Sequence, residues 1–268
     1  MLYSTNNTRL NVLDVGSGSL TLVFLHYFGG SALEWQTVIG QLPDAYRCLA
    51  IDLRGHGDSD APATGYSVET MADDVVDLLD TLDVHDFVLV GHSLSSKVAF
   101  ALASRQPIGL QSLILLSPSP PKPEPIPDAD REEMLKTHGL RSAAEKTFAK
   151  ITVRPLSEMA KEQIIADNLR TSEAAWKAWL TFGSKEDISA QISGINVPVS
   201  ILVGTEDKAL APDVQPTLTL PYLKNATFET IDNAGHLLPW EAPNDVAAFI
   251  QKKLARLQLT PKSSQKNP

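Results

Sequence analysis

Ser93 lies in a sequence context that favours nucleophilic chemistry. It belongs to Gly91-His-Ser-Leu-Ser95, where an apolar run ends and a helical segment begins. A strand that turns sharply into a helix at a serine projects the hydroxyl at the carboxyl edge of the sheet. Gly91 supplies a small residue that this turn needs, whereas Ser95 stands where G-x-S-x-G has its second glycine. The alternative interpretation is a serine that only caps the helix.

A base and a carboxylate that could activate this serine follow later in the chain. A serine hydroxyl is a weak nucleophile until a base removes its proton. His236 is the candidate base, because it lies between the last predicted strand and the last predicted helix. Asp207 directly follows an apolar run and can orient the imidazole, with Glu206 and Asp213 as competitors. Because the carboxyl ends of parallel strands meet at one edge of a sheet, the sequence predicts a Ser–His–Asp relay there.

The loop His26-Tyr-Phe-Gly-Gly30 could bind the oxygen of a substrate carbonyl. It follows the apolar run Leu20–Leu25, and its glycines allow a tight backbone turn. The expected donors of an oxyanion hole are the N–H groups of Phe28 and of Leu94, the residue after the nucleophile. A plain glycine turn is the alternative.

The composition argues against several classes of function. The chain has 268 residues, 43% of them hydrophobic, and a formal net charge of −9. A surface with that charge repels nucleic-acid phosphates and anionic membranes, so we expect neither as a partner. Cys48 is the single cysteine, so no intramolecular disulfide can form, and its apolar surroundings predict a buried core residue.

No targeting or membrane-spanning segment is expected. The first residues lack the basic start and the apolar stretch of a signal peptide. No run approaches the roughly 18 apolar residues that would span a bilayer. We therefore expect a cytoplasmic protein.

The distribution of apolar runs predicts an α/β fold. Runs rich in Val, Ile and Leu without polar alternation are typical of strands covered on both faces. Helical patterns separate them, including one that Ser67 can cap and an apolar one at Leu94–Ser104. This alternation implies a mostly parallel central sheet flanked by helices. The predicted strands are Leu20–Leu25, Cys48–Leu53, Phe87–Val90, Ser112–Leu116, Val199–Val203 and Thr227–Ile231.

The alternation of strands and helices breaks after Leu116. Six of the 18 prolines lie in residues 118–127, and proline cannot donate the backbone hydrogen bonds of a sheet. From about Asp130 to Ser184 the pattern is helical. We therefore predict a helical lid inserted after the strand that ends near Leu116. The predicted division is a core of residues 1–117 and 195–257, a lid of residues 118–194 and a disordered tail of residues 258–268.

Four motifs together resemble those of the α/β-hydrolase family, specifically its small lidded serine esterases and lactonases. They occur in the family's order, and the likeness runs from about residue 10 to about residue 256. In that family the second motif is a structural turn, so the resemblance implies that Arg54, His56 and Asp58 are not metal ligands. The motifs are His26-Tyr-Phe-Gly-Gly30, Asp52-Leu-Arg-Gly-His-Gly-Asp-Ser59, Gly91-His-Ser-Leu-Ser95, and Gly204-Thr-Glu-Asp207 followed by Gly235-His236.

Three positions depart from the family's pattern. Tyr27 stands where many relatives have glycine in the oxyanion loop, and Ser95 and Ser96 stand where two glycines are usual. Their effect on activity is left open by the sequence. Relatives that open epoxides or remove halogen from carbon have an aspartate in place of Ser93, which disfavours those reactions here.

The resemblance implies hydrolysis of a carboxylic ester of a small to medium substrate through an acyl-enzyme on Ser93. The expected catalytic residues are Ser93, Asp207 and His236, with no metal and no organic cofactor. Two alternatives remain open. One is a carbon–carbon bond hydrolase or a perhydrolase with the same triad, and the other is a ligand-binding receptor or pseudo-enzyme on the same fold.

The partner implied by this chemistry is a small-molecule ester. Its acyl chain length and stereochemistry are left open, as is the choice between a monomer and a homodimer. Aromatic side chains of the oxyanion loop and the lid are candidate substrate contacts, with packing inside the lid as the alternative for the lid residues. These candidates are Tyr27, Phe148, Trp176 and Trp179, with Met159 as a further lid residue.

Overall fold

The computed structural model describes residues 1–5 and 8–259, and a single sheet forms the centre of this part of the chain. The apolar runs predicted as strands all lie in it, with ends that differ from the predictions by at most two residues. The strands are β1 (Leu2–Ser4), β2 (Arg9–Val15), β3 (Leu20–Leu25), β4 (Tyr46–Ile51), β5 (Phe87–His92), β6 (Leu110–Leu116), β7 (Val199–Gly204) and β8 (Ala226–Ile231).

The sheet is mostly parallel, which confirms the predicted fold class. Across it the strands follow the order β1-β2-β4-β3-β5-β6-β7-β8. The pairs from β4 to β8 are parallel, whereas β1 and β2 are antiparallel to their neighbours. β1 and β2 are absent from the predicted strands, and only Leu10 and Val12 of β2 are buried.

Helices flank the sheet on both faces, as predicted. Ser67 caps α2, because its hydroxyl accepts a hydrogen bond of 3.1 Å from the Thr70 N–H. The helices are α1 (Gln36–Ile39), α2 (Val68–Thr81), α3 (Leu94–Ser104), α4 (Asp128–Lys136), α5 (Arg141–Ile151), α6 (Glu158–Arg170), α7 (Glu173–Thr181), α8 (Ser189–Ile192), α9 (Val214–Leu218), α10 (Leu238–Glu241) and α11 (Pro243–Leu259).

Two hydrophobic clusters form the core, one on each face of the sheet. Successive residues of β3 alternate between them: Val23 belongs to the cluster that contains α2 and α3, and Phe24 to the cluster that contains α1 and α11. Because both faces are covered, the strand shows no polar alternation. Cys48 packs in the second cluster and is buried, as predicted.

The segment between β6 and β7 carries helices α4 to α8 and no strand. It is the longest interruption of the sheet, and α4 to α7 fall within the helical pattern seen in the sequence. The segment that the sequence predicts to be a lid therefore consists of helices and loops inserted between two central strands.

The closing helix α11 extends into the segment predicted to be a disordered tail. It runs to Leu259, so the first two residues of the predicted tail are helical. The rest of that predicted tail, residues 260–268, lies outside the described residues. No helix within residues 1–5 and 8–259 combines the length and apolar character needed to cross a bilayer.

Candidate active site

Ser93 lies at a strained turn between β5 and α3. Its backbone has φ 53° and ψ −117°, a conformation that residues with a side chain adopt only when the surrounding structure enforces it. A Cβ at Gly91 would lie 3.1–3.2 Å from the backbone of Ser95 and Ser96, so glycine fits this close approach. The turn points the Ser93 hydroxyl away from the strand, at the carboxyl end of the parallel sheet.

The serine at position 95 is accommodated by hydrogen bonds across the turn. Its hydroxyl accepts from the His92 N–H at 3.0 Å and lies 2.8 Å from the Leu25 carbonyl oxygen, to which it can donate. Ser95 therefore links the nucleophile turn to the end of β3. The neighbouring Ser96 hydroxyl is buried and has no hydrogen-bond partner among the described residues.

Ser93, His236 and Asp207 form a continuous hydrogen-bonded relay. His236 Nε2 lies 2.9 Å from Ser93 Oγ, and His236 Nδ1 lies 2.7 Å from Asp207 Oδ2. All three side chains are buried. They come from the ends of β5 and β7 and from the loop after β8, so the parallel sheet gathers residues that lie 29 and 143 positions apart.

Asp207 is positioned by its own loop. The N–H groups of Ala209 and Leu210 donate to Oδ1 at 2.8 and 2.9 Å, which leaves Oδ2 for the imidazole. The competing carboxylates suggested by the sequence, Glu206 and Asp213, are exposed. The structure thus joins Asp207, and neither competitor, to His236.

The electrostatics of the relay favour charge separation between Asp207 and His236. Burial alone would raise the pKa of Asp207, but the His236 ring and the Leu210 N–H outweigh it and lower that pKa. Burial alone would lower the pKa of His236, but the charge and hydrogen bond of Asp207 outweigh it and raise that pKa. A higher pKa makes the imidazole a better proton acceptor.

Two backbone N–H groups beside the serine are available to bind an oxyanion. Neither the Phe28 N–H nor the Leu94 N–H has an acceptor among the described residues. The buried His26 holds the Phe28 loop, because its Nε2 accepts from the Leu53 N–H at 3.0 Å and its Nδ1 lies 2.7 Å from the Tyr27 carbonyl oxygen. Gly29 takes φ +84° in this loop, a conformation that favours glycine.

A second buried pair behind the relay was not identified from the sequence. His92 Nδ1 lies 3.2 Å from Glu34 Oε1, and His92 Nε2 donates to the His236 carbonyl oxygen at 2.9 Å. Burial lowers the pKa of His92 and raises the pKa of Glu34. Burial thus disfavours the charged form of both groups, and the hydrogen bond from His92 Nε2 holds the backbone of His236.

Glu241 is another residue that sequence reasoning missed. Its Oε2 accepts from the N–H groups of Val153, Arg154 and Gly235 at 2.7, 2.9 and 3.1 Å, and its Oε1 accepts from the Leu237 N–H at 3.2 Å. This carboxylate joins the loop of His236 to the segment after α5. The signal available in the sequence was an acidic residue five positions after the histidine, but its partners on the other segment were not visible.

A cavity of about 560 Å³ opens onto Ser93 and His236. Tyr27 and Trp179, two of the candidate substrate contacts, line it. The other lid candidates do not line it. Phe148 and Trp176 line a separate cavity of about 40 Å³, and Trp176 packs its ring 4.4 Å from that of Phe28. Met159 is 82% exposed and lines neither cavity.

The turn formed by residues 52–59 is built from structural contacts. Asp52 accepts from the Ala32 N–H at 2.6 Å and from the Asp58 N–H at 2.8 Å. Arg54 forms a buried ion pair with Asp74, with its Nε 2.5 Å from Oδ2. Within residues 1–5 and 8–259, no group of three His, Cys, Asp or Glu side chains is arranged to hold a metal ion.

Comparisons with known proteins agree with this architecture. The model of the "Alpha/beta hydrolase family" matches residues 22–249. A 2-succinyl-6-hydroxy-2,4-cyclohexadiene-1-carboxylate synthase of Enterobacter is 30% identical over 87% of this chain and 91% of that protein. A non-heme chloroperoxidase of Streptomyces lividans is 28% identical over 92% of this chain and 98% of that protein. A thermophilic esterase from Thermogutta terrifontis superposes with a TM-score of 0.82 at 25% identity, covering 96% of this chain and 98% of that one. The chain is an enzyme of the alpha/beta hydrolase family.

Proposed function

We propose that this enzyme hydrolyses carboxylic esters through an acyl-enzyme intermediate on Ser93. The observation that carries the proposal is the relay, in which the Ser93 hydroxyl lies 2.9 Å from an imidazole that is itself held by a buried carboxylate. A serine with a base at this distance is the usual arrangement for nucleophilic attack on an acyl carbon.

The first half of the reaction forms the acyl-enzyme. His236 Nε2 accepts the proton as Ser93 Oγ attacks the ester carbonyl carbon. The negative charge that develops on the carbonyl oxygen is bound by the Phe28 and Leu94 N–H groups, each typically worth about 10²–10³ in rate. The imidazolium then donates its proton to the leaving alcohol oxygen, and Asp207 stabilises the positive charge in the meantime.

The second half repeats these steps with water as the nucleophile. The neutral imidazole of His236 accepts a proton from water, and the resulting hydroxide attacks the acyl carbon. The carboxylic acid leaves as Ser93 Oγ recovers the proton. The steps use side-chain and backbone groups of this chain alone.

The helical insertion completes the site in this proposal. We assign residues 118–194 as a lid, because α4, α5 and α7 contribute residues to the cavity that holds Ser93. A cavity of about 560 Å³ fits a small to medium substrate. Its mixed apolar and polar lining supports binding of the ester's hydrocarbon parts beside the relay.

Hydrolysis of nitrophenyl esters of graded acyl length tests the proposal. Release of nitrophenol with an initial burst indicates an acyl-enzyme. Ser93→Ala should lower kcat by several orders of magnitude, up to about 10⁶-fold. Ser96→Ala is the matched control: it removes a buried hydroxyl three residues along the chain that has no partner among the described residues, and it should keep wild-type activity.

Other outcomes would assign a different function to the same relay. Cleavage of a β-diketone without ester hydrolysis would indicate a carbon–carbon hydrolase. Formation of a peracid from a carboxylic acid and hydrogen peroxide would indicate a perhydrolase. A single slow turnover with retained product would indicate a receptor. Equal activity of Ser93→Ala and the wild type would refute the proposed nucleophile.

A further inference from the structure

Glu124 is a buried acidic side chain on the wall of the cavity that contains Ser93 and His236. It is only 7% exposed, and its position is fixed on both sides. Its N–H donates to the Ser184 carbonyl oxygen at 2.8 Å, and its own carbonyl oxygen accepts from Arg131 at 3.2 Å. Prolines precede and follow it in the chain, which restricts its backbone further.

The neighbouring cations do not pair with this carboxylate. Lys97 and Arg131 are both buried and act on Glu124 electrostatically, but neither forms an ion pair with it within the described part of the chain. Lys97 Nζ instead donates to the carbonyl oxygens of Lys122 at 3.1 Å and Glu186 at 3.0 Å. Arg131 donates likewise to the Leu180 carbonyl oxygen at 2.9 Å.

The carboxylate therefore has unused capacity to accept hydrogen bonds. A carboxylate has about four acceptor sites, and neither carboxylate oxygen of Glu124 receives a hydrogen bond within the described residues; the buried Ser119 hydroxyl, which acts on the charged form of Glu124, has no hydrogen-bond partner there either. Burial raises the pKa of Glu124, as expected for a carboxyl group short of donors. A buried polar group without partners is costly, and a ligand that supplies a donor recovers that cost.

We propose that Glu124 is a specificity residue that binds a hydroxyl or amino group of the ester substrate. This inference rests on the proposed function, because it concerns the substrate of the same site. A donor on the substrate would complete the hydrogen bonding of the Glu124 carboxyl group while the ester carbonyl lies at Ser93. Substrates with a carboxylate at that position are disfavoured by repulsion from Glu124.

Pairs of esters that differ only in a donor group test this assignment. On the acyl side, methyl 3-hydroxybutyrate and methyl 3-aminobutyrate are compared with the nearly isosteric methyl 3-methylbutyrate. On the alcohol side, 4-hydroxybutyl butyrate is compared with pentyl butyrate. Acid release in a pH-stat gives kcat/KM for each ester, and the ratio within a pair measures recognition of the donor.

Three variants separate recognition from structural effects. Glu124→Met removes the acceptor and should lower the preference for the donor ester in at least one pair by about 10- to 100-fold. Glu124→Gln keeps one acceptor, so it should retain more of the preference for a hydroxyl than for an ammonium group. Glu186→Gln is the matched control, since Glu186 also acts on Lys97 but does not line the cavity, and it should leave the ratios unchanged.

The outcomes distinguish this inference from the proposed function. If Glu124→Met lowers kcat/KM equally for both members of every pair, Glu124 only balances the nearby positive charges of Lys97 and Arg131. That result would refute the assignment. If the wild type hydrolyses none of the esters, ester hydrolysis fails as the function. In that case NMR titration measures the affinities of Ser93→Ala and Ser93→Ala/Glu124→Met for the same compounds. A preference for the donor compounds that is lost only in the double variant would still assign the role to Glu124.

Discussion

Replacing Glu241 by glutamine should weaken the anchoring of the catalytic loop. The carboxylate accepts four backbone N–H bonds, three on Oε2 and one on Oε1. In glutamine one oxygen becomes an NH₂ group, which cannot accept. With the amide oxygen in the place of Oε2, three charge-assisted bonds become neutral ones and the bond from Leu237 is lost.

The size of the effect follows from typical hydrogen-bond strengths. A bond to a charged group contributes about 1 kcal/mol more than a neutral one, so three weakened bonds remove about 3 kcal/mol. The lost bond to Oε1 is also charge-assisted and removes about 2 kcal/mol more, for a total of about 5 kcal/mol. For a chain of this size that corresponds to a fall in Tm of about 10 °C. Because the same loop carries His236, a shift of about 1 Å should also lower kcat by about 10²-fold.

Urea unfolding, thermal melting and ester kinetics measure these effects together. Glu206→Gln provides the control, since it removes the same charge from an exposed side chain next to the relay and should change Tm and kcat little. A Tm and a kcat of Glu241→Gln within error of the wild type would show that these four bonds do not hold the loop.

Two further predictions concern the pH profile and the buried ion pair. The charge and hydrogen bond of Asp207 outweigh the effect of burial and raise the pKa of His236. The imidazole therefore becomes protonated, and stops acting as a base, at a higher pH than an ordinary histidine. The acid limb of kcat/KM should thus lie above about pH 6.5 in the wild type, and Asp207→Asn should move it to lower pH; an unchanged limb would contradict this. Arg54→Met leaves the Asp74 carboxylate buried and unpaired, so urea unfolding should show a loss of about 3–5 kcal/mol. The double variant Arg54→Met/Asp74→Leu should recover much of that loss, and failure to recover it would argue against a charge-based cause.

The parallel strands and the relay were predictable because local signals specify them. Each central strand is a continuous apolar run, and the turn after such a run lies at the carboxyl edge of the sheet. Ser93 and Asp207 occupy that position directly. The choice of Asp207 over Glu206 depends on the loop after β7, whose N–H groups bind Oδ1 of Asp207 and leave Oδ2 for His236, whereas Glu206 is exposed.

The supporting residues were not predictable because their partners are distant in the sequence. Glu34 meets His92 at a separation of 58 positions, and Glu241 meets Val153 at a separation of 88. No local pattern distinguishes them from exposed glutamates. The aromatic residues of the lid pose the same problem, because helical spacing alone does not tell Trp179, which lines the large cavity, from Trp176, which packs beside Phe28.

The position of Lys97 restricts how substrate can reach the site. Its amine donates hydrogen bonds to the carbonyl oxygens of Lys122, before α4, and Glu186, after α7. Both ends of the insertion are therefore bound to α3, the helix that follows the nucleophile. Rigid-body opening of the whole insertion would break these hydrogen bonds of the Lys97 ammonium group. Substrate should therefore enter where the exposed Lys146 and Lys208 line the cavity, with both ends of the insertion still bound to α3.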